Sequence, residues 1–128
     1  MRVKLISLAF LLLAATPAFA ARDFRINDTP FAEAEILDAR GTATLAGEPA
    51  ILVTLADAAR RKLQALSAAA LGQPIRAQIG TTSLSGPIVR DPITDGVIEL
   101  SGCANFAACE ALAERISGKP PVPDSLEE

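Results

Sequence analysis

Ser85, Asp91 and Asp95 fall within one short stretch, and two carboxylates beside a hydroxyl are the raw material of a hydrolase. One carboxyl would protonate a leaving group while the other activated water or attacked directly. The spacing argues otherwise, because Asp91-Pro92 and Asp95-Gly96 are ordinary turn dipeptides whose carboxylates bond nearby main chain. Histidine is absent, which removes the usual general base and every His-containing triad. A Ser–Lys dyad would have to join Ser83, Ser85 or Ser101 to Lys62 or Lys119, and no local spacing supports such a pair. The glycines match neither Gly-x-Gly-x-x-Gly nor the Walker pattern, so no phosphate-cradling loop is expected. The residues predict a chain that is not an enzyme and has no catalytic, cofactor-binding or metal-binding residues.

Cys103 and Cys109 are the only cysteines. Two thiolates without histidine make a poor metal site, and five intervening residues differ from the two of a thioredoxin-type redox motif. In an exported chain an even cysteine count points to a disulfide, with free thiols the remaining alternative. Export is expected from the N-terminus. Arg2 and Lys4 precede an apolar run from Leu5 to Ala15, and Ala18-Phe19-Ala20 offers a signal-peptidase site. Residues 1–20 therefore read as a signal peptide cleaved after Ala20, and the localisation as periplasmic. No second apolar segment is long enough to span a bilayer after processing.

The chain carries 12 basic and 15 acidic residues, and Arg2 and Lys4 leave with the signal peptide. A mildly acidic protein without a long basic run is a poor fit to nucleic acid. Trp and Tyr are absent, so no aromatic platform for bases or sugars is expected.

What positions these residues is read from periodicity. Residues 21–33 form a polar lead-in expected to be loose, and residues 34–118 the folded domain. Ile36 to Thr44 and Ile51 to Leu55 read as a hairpin turning at Ala46-Gly47-Glu48-Pro49. Asp57 opens a helix with Ala59, Leu63, Leu66 and Ala70 on one face, and Gly72 with Pro74 ends it. Arg60-Arg61-Lys62 in this helix reads as a solvated face. From Leu71 to Gly102 the pattern predicts three short strands, the first with Ile75, Ala77 and Ile79 inward. Asn105 caps a second helix, Phe106 to Ser117, closed by Gly118. Residues 119–128 read as a Pro-rich disordered tail. The fold class expected is α+β: an antiparallel sheet with two helices packed on one face.

The run from Ile51 to Leu112 resembles the head subdomain of the first periplasmic region of SecD, the accessory subunit of the Sec preprotein translocase. The resemblance rests on the order of Gly72-Gln73-Pro74-Ile75, Ser85-Gly86-Pro87-Ile88, Pro92-Ile93-Thr94-Asp95-Gly96, Leu100-Ser101-Gly102 and Leu112-Ala113. The Cys103-Ala104-Asn105-Phe106-Ala107-Ala108-Cys109 stretch departs from that family's helix start, and a bridge there would staple the helix. The resemblance implies a free-standing, non-catalytic periplasmic module whose partner is exported or unfolded polypeptide or the translocase itself. An envelope binding or inhibitor protein that reuses the head fold for an unrelated partner is the alternative. The expected working surface is a hairpin tip and strand edge made of Thr81, Thr82, Ser83, Leu84, Ser85, Pro87 and Ile88. Its hydroxyls and alternate apolar residues would receive an extended peptide.

Overall fold

A computed structural model describes residues 23–123 of the chain. The expected signal peptide and residues 124–128 lie outside the described residues. The elements in chain order are β1 (Phe24–Ile26), β2 (Thr29–Phe31), a single 3₁₀ turn (Glu33–Glu35), β3 (Ile36–Ala43), β4 (Pro49–Leu55) and α1 (Asp57–Ala69). They continue with β5 (Pro74–Ile79), β6 (Thr82–Ile88), β7 (Val97–Ser101) and α2 (Phe106–Ser117). The strands form one curled antiparallel sheet in the order β2-β1-β5-β6-β7-β4-β3, and with the two helices they make the expected α+β fold.

Period-two alternation decides which side of the sheet is buried. Ile75, Ala77 and Ile79 of β5 point to the same side as Ile51, Val53 and Leu55 of β4 and Ile98 and Leu100 of β7, and all are buried. Ala59 and Leu63 of α1, with Cys109, Leu112, Ala113 and Ile116 of α2, close the core over that side. Each fully buried Leu or Ile contributes about 1.5–3 kcal/mol.

The caps follow local chemistry. Asn105 Oδ1 accepts from the Ala108 amide at 2.8 Å, and Gly118 ends α2 at a φ of 76°, where a side chain would be strained. Asp57 is the first residue of α1 and Ala56 its cap, so the Asp57 carboxylate acts on the dipole end and pairs with Arg60 at 3.2 Å.

Two segments correct the sequence reading. Residues 23–31 are not a loose lead-in but an edge hairpin, in which Phe24, Ile26 and Phe31 are buried. Asn27 and Asp28 both take left-handed backbone (φ 49° and 67°), a two-residue turn these residue types tolerate. Burial of Phe24, Ile26 and Phe31, together with the pairing of β1 to β5, offsets the cost of ordering these short strands. The Pro-rich segment is also held where it leaves α2. Ser117 Oγ donates to the Lys119 carbonyl at 2.8 Å, and the Val122 amide donates to Asp38 Oδ1 at 2.7 Å.

Irregularities bend the sheet where it needs to curl. A bulge at Leu37 shifts β3 against β4 and leaves that leucine 54% exposed. A second shift sets Gly86-Pro87 of β6 against Ile75 alone. Gly86 lies there because a Cβ would stand 2.8 Å from the Ile75 Cβ.

Candidate functional site

Strand pairing arranges the solvent-facing side of the sheet into rows of side chains. Arg25 of β1 is opposite Gln78 of β5, which is opposite Ser83 of β6. One row over, Arg76 is opposite Ser85, and Ser85 is opposite Ser101 of β7. Arg25, Arg76, Gln78, Ser83 and Ser85, with Asn27 and Asp28 of the turn and Ala69, Ala70 and Gln73 after α1, line an open groove of about 760 Å³. Asp23 holds the Arg25 guanidinium at 2.8 Å, and Asn27 Oδ1 accepts from the Arg76 main-chain amide at 2.9 Å. The groove thus presents guanidinium, amide and hydroxyl groups, which suit carbonyl and carboxylate oxygens.

Only part of the expected working surface has the geometry assigned to it. Gly80 and Thr81 alone make the turn between β5 and β6, and the Gly80 amide is tied to the Asp23 carbonyl at 3.1 Å. Thr82 to Ile88 is a strand with β5 along one side and β7 meeting the other at Ser85, so it is not a hairpin tip with a free edge. Leu84 is buried against the core and cannot supply exposed apolar contact. Ser83 and Ser85 do face the groove, and Thr81, Pro87 and Ile88 are exposed. Arg25, Arg76 and Gln78 escaped the sequence reading. The alternation of Arg76 and Gln78 with buried β5 residues was the available signal for two of them.

Asp95 serves the turn before β7. Asp95 Oδ1 accepts from the Val97 amide at 3.0 Å, and Asp91 and Asp95 are both exposed. Ser85 stands in its strand row with Arg76 and Ser101 rather than in their loop. Inside that loop, Ser67 of α1 is fully buried and its Oγ accepts from the Ile93 amide at 2.8 Å. The Cys103 and Cys109 sulfurs stand at bonding distance with Cα atoms 5.4 Å apart, bracketing the start of α2.

Two charged clusters lie elsewhere. Lys62 is not part of a uniformly solvated helix face. Its Nζ donates to the Pro30 carbonyl at 2.7 Å and to both Glu35 oxygens at 2.9 and 3.1 Å, and it lies 4.2 Å from the Phe31 ring centre. The Lys62 hydrogen bond, with one from the Ala32 amide, holds the Glu35 carboxyl below its ordinary value. On β3, Asp38 Oδ2 accepts from Arg40 Nε at 2.8 Å while Oδ1 takes the Val122 amide. Arg40 Nη2 in turn donates to the Val122 carbonyl. Burial pushes the Asp38 carboxyl up, but the Arg40 and Val122 hydrogen bonds and the nearby positive charges outweigh it, and the net shift is down.

This is a mixed α+β module with a polar sheet face, and it is similar in fold to parts of the export protein SecDF. A crystal structure of SecDF in its super-membrane-facing form superposes with a TM-score of 0.59 at 21% identity, covering 71% of this chain and 12% of that one. A structure of SecDF described as a membrane component that enhances protein export gives a TM-score of 0.60 at 19% identity, covering 76% and 46%. The likeness is consistent with a SecD head-like domain and spans less than half the length of either SecDF chain. No protein-family model and no curated protein sequence matches the chain. Among the described residues, no helix is long and apolar enough to cross a membrane.

Proposed function

We propose that this chain is a non-catalytic binding module of the periplasm, delivered by a signal peptide cleaved after Ala20. Its partner is exported or unfolded polypeptide, or a component of the Sec translocase. The observation that carries this reading is the fold likeness to SecDF over about three-quarters of the chain, since the matched protein is one that enhances protein export. The groove adds support of a second kind. Its guanidinium, amide and hydroxyl groups meet main-chain carbonyls without demanding a particular side chain, as a binder of varied polypeptides requires. The proposed contact residues are Thr81, Ser83, Ser85 and Ile88 of the original surface, joined by Arg76 and Gln78.

The test is site-specific photocrosslinking in cells, with the photoreactive residue placed at Ser83 or Ser85 of the full chain. Adducts with Sec subunits or nascent secretory chains are expected. A single dominant adduct to an unrelated envelope protein would overturn the reading in favour of an inhibitor or binding protein. Intact mass of the periplasmic form checks the processing site. The absence of catalysis is checked by replacing Asp91 and Asp95 together with Asn, which should leave any cellular phenotype unchanged. Loss of phenotype in a folded variant would count for an enzyme.

A further inference from the structure

We infer that Asp38 and Arg40 on β3 form a clamp that reads the main chain of an extended polypeptide segment, and that residues 119–123 occupy it in cis. This deepens the proposed function, and it rests on that reading for the identity of the partner in trans. The clamp grips one residue by both of its main-chain groups, the amide before it and the carbonyl after it. The Val122 amide donates to Asp38 Oδ1 at 2.7 Å, and the Val122 carbonyl accepts from Arg40 Nη2. The Asp38–Arg40 contact at 2.8 Å fixes the two groups relative to each other, so acceptor and donor are already spaced for an amide and a carbonyl. Asp38 is only 9% exposed, whereas Val122 is 47% exposed. The receiving groups are built into the sheet; the segment they hold lies on the surface.

The occupant's chemistry follows from what is seated. Proline on either side of Val122 keeps the segment extended and leaves Val122 the only residue of the 120–123 stretch with an amide to donate. Beside it, a groove of about 560 Å³ runs between β3 and the outer side of α2, lined by Arg40, Gly41, Glu110, Glu114 and Pro121. Two carboxylates along that groove favour a basic residue near the gripped one, and Lys119 stands three positions before Val122 in this chain. The partner in trans is therefore an extended segment of exported polypeptide with a free amide at the gripped residue and a basic residue shortly before it. β3 is an edge strand, where such a segment can lie without displacing any other strand.

The probe is a fluorescein-labelled peptide with the sequence of residues 119–128, titrated by anisotropy against the full chain and its V122P variant. Proline at 122 removes the amide that Asp38 accepts and weakens the hold of the cis segment, which otherwise competes at high effective concentration. The V122P chain should bind the probe at least tenfold more tightly than the parent, and D38A added to V122P should abolish binding. If far-UV circular dichroism shows that D38A does not fold, R40Q in the V122P background takes its place with the same expectation. Equal affinity for parent and V122P overturns the clamp. So does the absence of binding to either, or binding that survives loss of Asp38 or Arg40. Because the probe is the chain's own segment, these outcomes leave the photocrosslinking result standing. Failure of the export reading would likewise leave the cis clamp intact.

Discussion

Ser67→Ala isolates a single interaction that ties α1 to the loop before β7. Ser67 is fully buried, donating from Oγ to the Gln64 carbonyl at 3.0 Å and accepting from the Ile93 amide at 2.8 Å. Alanine removes the acceptor and fills almost the same space, so the cavity cost is small. The Gln64 carbonyl lies within a helix, but among the described residues the Ile93 amide has no second bond to fall back on. An orphaned buried amide costs about 1–3 kcal/mol. Ile93 is half-buried and water reaches part of it, so we expect about 1–2 kcal/mol. In a domain of this size each kilocalorie lowers Tm by about 4–8 °C. The chain has neither Trp nor Tyr, so urea unfolding is followed by far-UV circular dichroism. Amide exchange at Ile93 is measured alongside it. A loss below about 0.5 kcal/mol with unchanged protection at Ile93 would refute the argument, because it would mean that the loop is held without Ser67.

Other expectations follow from the same geometry. Cys103→Ala with Cys109→Ala should cost about 2–3 kcal/mol in urea unfolding, and the parent should resist alkylation until reduced; free thiols in the unreduced protein would contradict this. Gly86→Ala should destabilise by about 1–3 kcal/mol, because the new Cβ meets Ile75 Cβ at 2.8 Å and Cγ2 at 3.1 Å in the core, and an unchanged urea midpoint would contradict that packing. Asp38 and Glu35 titrate below their ordinary values of 3.8 and 4.5 in the fold, so their stabilisation is complete above those values. It is lost as pH falls through the lower folded values, and the urea midpoint should drop below about pH 4 in the parent and less steeply in Asp38→Asn.

The parts of the fold that could be read from sequence are those whose signals are local. Asn105 and Gly118 mark both ends of α2 by chemistry within a few residues, and the Ile51–Leu55 run carries its own strand pattern. The edge hairpin escaped because each strand is three residues long, too short for alternation to show. Asn27-Asp28 between Phe24 and Phe31 was the one available clue. At the candidate site, Ser83 and Ser85 were found by residue type, but Gly80 and Gly86-Pro87 made their strand look like a loop. The pairing of Asp38 with Val122 spans 84 residues. No periodicity or motif encodes it.

The strand order carries a consequence for how the chain acquires its structure. Both flanks of the sheet, β2-β1 on one side and β4-β3 on the other, come from residues up to Leu55, whereas the strands between them, β5, β6 and β7, come from Pro74 onward. A chain emerging N-terminus first can therefore make two separate hairpins early, but no strand pairing joins them until β7 has appeared. Contacts that link the hairpins are long-range, and they form late and together. Such a chain cannot complete its sheet until β7, close to its C-terminal end, is available for pairing. It should then fold in one step, with the last strands acting as the keystone.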